Sequence, residues 1–569
     1  MERFWKVRRR AKPSRRLETR SDRKSPVRLD SLTEFDFCPF SGVSSRRSLL
    51  GAMKVAARID IKEAPMSSIA TSPHRRTVSR RNRQPHRQRR AQSCRRDLKR
   101  RRRMARKARA ARRELQRINQ AIPEPARSLF ACLASAFTRP TFLRFVVLAL
   151  AAILTIGGRT VCNLLRTLGA LAPGHPASFH CVFSKRRWSS WRLARSLAGW
   201  VFDHLVPSGR IFLAGDDTVD EHPGDKVFGK GCHRDPVRST GSFTAFRWGH
   251  KWVVLSVLVR LPFTRRQWAL PLLVALYRSA KDNHKAGRRH KTPHHLLRQL
   301  CCLLLRWFRQ PTFVLAGDGD YAAHELARFC ARRRAQQRGR LNLVSKFYPD
   351  ANLYEPAPPY CGHYRPRVKG KVLAKPERVV VESTRTKLTK VAWYGGGVRN
   401  VEVVTGTGHW YKAGHGLVEV RWVFVHDLSG THRDEYFMTT DVAMSAREVI
   451  ETYVGRWNEE TTFQEMRSYL GLETTRGWKD KTVLRAAPCL FGLYTVVACL
   501  YSQLPSRYAR ERAVQWAGKE DVTFSDAITA VRRWLWQQWV FAIPGYKPVF
   551  EKLSWPFRSL LLHALAPAA

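Results

Sequence analysis

Asp216-Asp217-Thr218 closes the apolar run Ile211-Phe-Leu-Ala-Gly, and Asp318-Gly-Asp320-Tyr321 closes a second run, Thr312-Phe-Val-Leu-Ala-Gly. Short apolar runs of this kind predict buried strands, so two strands would each deliver an aspartate at the C-terminal end. Farther along, Tyr453, Arg456, Glu460 and Arg467 stand at offsets 0, 3, 7 and 14. On a helix turning about 100° per residue these offsets fall near 0°, −60°, −20° and −40°, roughly one face. Arg and Glu at i and i+4 also form ordinary exposed pairs, a reading weakened by the aromatic residues beside them. If Glu460 approaches Asp216 and Asp318, three carboxylates converge in a basic chain, and cations are needed to hold them together. Hard oxygen ligands suit Mg2+ or Mn2+. Two such ions roughly 4 Å apart activate a water or a 3′-hydroxyl and stabilise the leaving oxygen of an in-line phosphoryl displacement.

The elements that must position these residues follow from the pattern around them. Residues 242–248 and 252–261 predict two strands, and 266–280 and 293–308 two helices, the second capped by Thr292. After Asp318, residues 322–335 predict a helix and 341–347 a strand. Residues 348–441 lose helical periodicity; the runs 378–382, 388–394, 401–404, 417–426 and 435–439 alternate in strand fashion between turn residues, a β-rich insertion. Ser445-Ala-Arg-Glu448 is a capping box that opens a single helix reaching about Leu470. The expected fold class is α/β, a mixed sheet flanked by helices and interrupted by that insertion, with helical N-terminal and C-terminal regions. Its segments are a basic, largely unstructured arm 1–118 that turns helical near its end, and a helical DNA-binding region 119–207. The core follows over 208–347, the insertion over 348–441, the Glu-bearing helix over 442–480 and a helical C-terminal region over 481–569.

The chain carries 103 Lys/Arg against 44 Asp/Glu, a formal charge of +59, which makes nucleic acid the leading partner. Hydrophobic residues at 44% and 18 Trp exclude a disordered basic tail. Residues 1–120 hold 38 Lys/Arg and 10 Asp/Glu, net +28, so nearly half the excess lies in an arm suited to phosphate contact. Met53, Met66 and Met104 are alternative starts that would shorten it. The 12 cysteines show no CxxC pair or zinc-finger spacing, and His284, His290, His294 and His295 lie in a basic stretch, so no zinc site is predicted. The apolar stretches 145–157 and 486–504 are broken by Arg, Pro or Gly and read as buried helices rather than membrane spans. No secretory signal is recognised, and a cytoplasmic, nucleoid-associated protein is expected.

The order strand-Asp, strands, helices, strand-Asp, helix, strand, β-rich insertion, helix-Glu resembles bacterial insertion-sequence transposases with an RNase H-like DDE domain. The likeness rests on Asp216-Asp-Thr218, on Asp318-Gly-Asp-Tyr321, and on Tyr453-Val-Gly-Arg456-Trp457-Asn-Glu-Glu460-Thr-Thr-Phe463, similar to that family's Y-R-E-K signature. It covers about residues 120–540. The resemblance implies Asp216, Asp318 and Glu460 as ligands of two Mg2+ ions, replaceable by Mn2+. It also implies Tyr453 and Arg456 at the cleaved strand, and Arg467 in the place of the signature lysine. Two departures stand out: Arg467 replaces a point ammonium with a fork, and Glu459 occupies a usually apolar position. Glu459 falls near −120°, turned from the active face, which favours Glu460 as the ligand. Asp217 is expected on the opposite side of its strand and Asp320 as a helix cap. Arg234, Arg238, Lys251 and Trp457 are candidate DNA contacts, the first three on basic loops beside the carboxylates. The implied partner is double-stranded DNA, element ends and target, with a homodimer in a synaptic complex. A catalytically silent DNA-binding derivative and another RNase H-like nuclease remain as alternative readings.

Overall fold

The computed structural model describes residues 84–235, 238–335, 340–384, 386–509 and 515–567. Helices α1 (Gln84–Gln120), α2 (Ala126–Cys132), α3 (Arg139–Leu154), α4 (Val161–Leu168), α5 (Pro176–Ser184) and α6 (Ser190–Leu205) precede the sheet. Its strands are β1 (Arg210–Glu221), β2 (Gly231–Arg234), β3 (Phe246–Arg260), β4 (Gln267–Tyr277), β5 (Thr312–Gly317), β6 (Arg340–Lys346), β7 (Leu353–Tyr354), β8 (Lys387–Ala392), β9 (Val398–Lys412), β10 (Gly416–Asp427) and β11 (Glu435–Thr439). Between or after them lie α7 (Ala280–Lys285), α8 (Pro293–Trp307), α9 (His324–Ala335), α10 (Pro376–Glu382), α11 (Ala446–Arg456), α12 (Asn458–Leu470), α13 (Asp480–Ser502), α14 (Ser506–Ala509) and α15 (Phe524–Leu535).

β4, β3 and β1 run antiparallel, and β5 and β6 lie parallel to β1 on its other side, the strand order of an RNase H-like core. The mixed α/β class is therefore as expected. The register decides the rest. Ala214 pairs with Ala316 and Gly215 with Gly317, so Asp216 and Asp318 come next in register at the same level; Asp318 is the first residue past β5, whereas Asp216, expected at a strand end, stays within β1 opposite Val254 of β3. The preceding glycines sit in tight packing, most rigidly at Gly317, where the neighbour is the Tyr321 Cβ rather than the end of a flexible side chain. A Cβ on Gly215 would sit 2.8 Å from Leu297 of α8, and one on Gly317 would sit 2.9 Å from the Tyr321 side chain.

Several expected elements are corrected. Residues 267–277 form strand β4, not a helix, because a continuous apolar run does not reveal its period. Pro271, a poor central-strand residue, is accommodated at a register shift on the strand's way past Ser256. The strands expected over 242–248 and 252–261 are one, β3, in which Gly249 and His250 are paired residues rather than loop. Residues 376–382 are helix α10, started by Pro376 at its first position, where the run 378–382 was expected as a strand. The β-rich region makes no layer of its own: β11 pairs with β6 and carries β10, β9, β8 and β7 onto the same sheet. Helix α1 reaches back to Gln84, deeper into the basic arm than expected, while residues 1–83 lie outside the described residues.

The terminal helical regions share one core on the sheet. α13 packs on β4, α5, α6 and α15, and α15 also packs against α3. The buried Arg532 of α15 donates to the Ile153 carbonyl of α3 at 2.7 Å. α13 is the one described helix long and apolar enough to cross a bilayer, and most of it is buried in this body. In the helical N-terminal region, Trp188 packs with its ring centroid 4.9 Å from that of Phe137 and lies under the Arg485 guanidinium.

The capping box at Ser445 forms as expected: the Ser445 hydroxyl receives the Glu448 amide at 3.2 Å and the Glu448 carboxylate receives the Ser445 amide at 2.9 Å. Because this cap starts the helix that aims Arg456, Ser445→Ala should lower stability by about 1 kcal/mol, read as a shift in the urea unfolding midpoint.

Candidate active site

Asp216 is buried on β1, and its Oδ2 receives Arg456 Nη1 at 2.6 Å while its Oδ1 receives the Asp217 amide at 2.7 Å. The other arm of the same guanidinium donates to Glu460 Oε1 at 3.1 Å. Arg456 thus sits between one aspartate and one glutamate, itself buried. Asp318, just past β5, caps the 3-10 turn Gly319–Tyr321 by accepting the Tyr321 amide at 3.2 Å. Asp320, expected as a cap of the helix that follows, is exposed within that turn.

Burial pushes the Asp216 carboxyl up to about 8, with Arg456 opposing and the charges of Asp318 and Asp217 adding to the rise. Burial likewise raises Asp318, against Arg456 and with Asp320. Glu460 is raised by burial, against Arg456 and with repulsion from Asp318. Asp216, Asp318 and Glu460 therefore share one electrostatic neighbourhood that a single arginine does not neutralise. Their oxygens fit a hard divalent cation, which would relieve both the repulsion and the desolvation.

Glu459 does not share the Arg456 contact of Glu460, yet its side of the helix does not face solvent. It is fully buried, accepts the Ser256 hydroxyl at 2.7 Å, and its second oxygen has no hydrogen-bond partner. Burial, then the Asp216 charge, raises its carboxyl well above the usual range. The physical reason is depth: a wheel gives the angle of a side chain, but only the packing of α12 on the sheet sets that side of the helix against Ser256 of β3.

The other expected residues divide. Tyr453 is buried, its ring 4.3 Å from Phe437 and under the Arg456 guanidinium, so it supports Arg456 rather than offering itself to a nucleic-acid strand. Arg467 donates to the Thr218 hydroxyl and, at 3.4 Å, to the Val219 carbonyl, and lies 3.4 Å from Glu473. It braces β1 beyond Asp216. Asp217 is held apart by Lys251 at 2.8 Å and by the Tyr321 hydroxyl at 3.3 Å. Lys251 is thereby neutralised by Asp217. Arg238 faces Asp235 at 3.8 Å and Glu221 at 3.9 Å, Arg234 is exposed on β2, and Trp457 is exposed and edge-on to Tyr394.

Residues 132–400 match the family model of the DDE superfamily endonuclease. The match supports a DDE-type nuclease or transposase acting on DNA, and its span contains Asp216 and Asp318 but ends before α12. No curated protein matches the chain.

Sequence reasoning missed one buried group. Asp220 and His222 at the end of β1 face His250 of β3, and all three are buried. The D-x-H spacing was visible, but the third member is supplied only by strand register.

Proposed function

We propose that the chain is an insertion-sequence DDE transposase that cuts phosphodiester bonds at the ends of a mobile DNA element and joins the freed 3′-hydroxyl to target DNA. The observation that carries this reading is the placement of Asp216 and Asp318 at the same level of two parallel strands, with Glu460 tied to Asp216 through Arg456. Asp216, Asp318 and Glu460 would hold two Mg2+ ions, or Mn2+ in their place. Bound there, the ions would activate the attacking oxygen and stabilise the leaving one. The protein's own part is positional. Arg456 fixes the Asp216 carboxylate and the Glu460 carboxylate relative to each other, and Tyr453 fixes Arg456. Arg467 anchors the strand beyond Asp216 through Thr218, and Ser345 holds the Asp318 backbone by donating to its carbonyl at 2.9 Å.

The substrate is double-stranded DNA, drawn by the large positive charge of the chain. Arg234 and Trp457, both exposed, are the candidate contacts left free by the ion pairs described above, and paired element ends imply a homodimer on the bacterial nucleoid. Arg234→Ser should weaken binding to DNA of any sequence and flatten the plot of log affinity against log salt by about one, measured by fluorescence anisotropy. The proposed activity is tested by incubating the full chain, labelled duplexes from the DNA flanking its reading frame, a target plasmid and Mg2+. Joined products with target-site insertion support transposition. Nicked or cut duplex without joining would leave a nuclease, and no metal-dependent product at all would refute the reading.

A further inference from the structure

We infer that Asp220, His222 and His250 form a second metal site, for a zinc-class transition-metal ion, separate from the carboxylate centre. Asp220 of β1 and His250 of β3 are directly opposite each other in the antiparallel register. His222 follows on the same side of the extended chain, its amide still bonded to the Trp248 carbonyl of β3 at 3.1 Å. Gly249 makes the approach of the two strands feasible, because a Cβ there would run into the Asp220 carbonyl. One ligand atom from each of the three side chains lies within 4.8 Å of the others, and the three residues are 0%, 4% and 1% exposed.

The hydrogen bonding leaves this cluster with an unmet demand. His250 Nε2 is 3.0 Å from the Phe228 carbonyl, which can only accept, so that nitrogen carries a proton. Its Nδ1, His222 Nε2 and Asp220 Oδ2 are all buried without a hydrogen-bond partner. Nδ1 stands 3.5 Å from one Asp220 oxygen and His222 Nε2 stands 3.4 Å from the other. Without an ion, the Nδ1 of a neutral His250 turns a lone pair toward the buried carboxylate, and neither ring nitrogen that faces Asp220 makes a well-aligned hydrogen bond to it. A tetrahedral ion bound at about 2.0–2.1 Å holds its ligand atoms about 3.4 Å apart, which matches the separation of His222 Nε2 from Asp220 Oδ2, the carboxylate oxygen left over once Oδ1 has accepted the His250 amide at 3.1 Å. A backbone carbonyl fixing the remote nitrogen of a ligating histidine is also the usual support for such a site. Two imidazoles and a carboxylate favour zinc-class ions over magnesium, and three protein ligands leave a fourth position for water.

An ion there would clamp β1 to β3 four residues beyond Asp216, so its role is to position that strand. The cysteine spacing predicted no zinc, but it carries no information about ligands brought together across strands.

The test is metal content of the intact chain after exposure to Zn2+ and dialysis into chelator-free, magnesium-free buffer. About one zinc per chain is expected, retained in an Asp216→Asn/Asp318→Asn variant and lost in His222→Gln and in His250→Gln. Cobalt exchanged into the wild-type chain should give the intense visible bands of a tetrahedral site, and zinc X-ray absorption should show imidazole ligands; both need no variant to fold. A wild-type chain that holds no transition metal overturns the inference, as does metal content unchanged in both histidine variants. Neither result depends on DNA cleavage, so the two sites are judged separately.

Discussion

Asp216→Asn and Asp318→Asn should each reduce Mg2+-dependent DNA cleavage by about 10³-fold or more, while the chain stays folded. Asparagine keeps the shape of each side chain and an oxygen that can accept the same backbone amide, from Asp217 in one case and Tyr321 in the other. What it removes is the negative charge needed to hold a cation. Stability should not fall in step with activity, because both carboxyls are already pushed toward their neutral forms by burial and by neighbouring aspartates, Asp318 and Asp217 for Asp216, Asp320 and Asp217 for Asp318. A neutral amide relieves that repulsion, at the expense of the charge-assisted bond from Arg456 to Asp216. Cleavage rates in Mg2+, read beside circular dichroism and the urea midpoint, separate a lost ligand from a lost fold. Activity within a few-fold of wild type in either variant would remove that residue from the site.

The adjacent glutamates should behave in opposite ways. Glu460→Gln should lose cleavage by about the same 10³-fold, because its carboxylate, partly exposed and bonded to Arg456, is the one repelled by Asp318. Glu459→Gln should keep activity within about tenfold and gain up to about 1 kcal/mol of stability. Its buried carboxyl is repelled by Asp216 and has one unpartnered oxygen, and a glutamine still accepts the Ser256 hydroxyl. Cleavage rates and unfolding midpoints of the two variants read the contrast directly. The reverse pattern, with Glu459→Gln inactive and Glu460→Gln active, would move the third ligand one residue along the chain.

What could be read beforehand depended on whether the signal was local. The two apolar runs ending in Ala-Gly-Asp were legible as strands because each is a short apolar run, and the parallel register then places the aspartates together; that β1 continues past Asp216 to Glu221 was not legible, because its polar second half pairs only with β3. The capping box at Ser445 was legible because its signal is local. Residues 267–277 were not, since an unbroken apolar run fits a buried helix as well as a strand such as β4. Nor was the burial of Glu459, because its contact with Ser256 joins α12 to β3 and no spacing within the helix encodes it. Tyr453 had the right face but the wrong depth: burial against Phe437 is a contact between α11 and β11 that no spacing within the helix encodes. The Asp220/His222/His250 cluster is the extreme case, its members joined only by the pairing of β1 with β3.

The central claim, that Asp216, Asp318 and Glu460 gather to hold divalent cations for DNA cleavage, is tested most directly by locating those cations. Crystals of the full chain bound to a DNA duplex and soaked in Mn2+ should give anomalous density bounded by oxygens of all three carboxylates, and none there in the Asp216→Asn/Asp318→Asn variant. Manganese absent from these carboxylates, or bound there equally in the variant, would contradict the account.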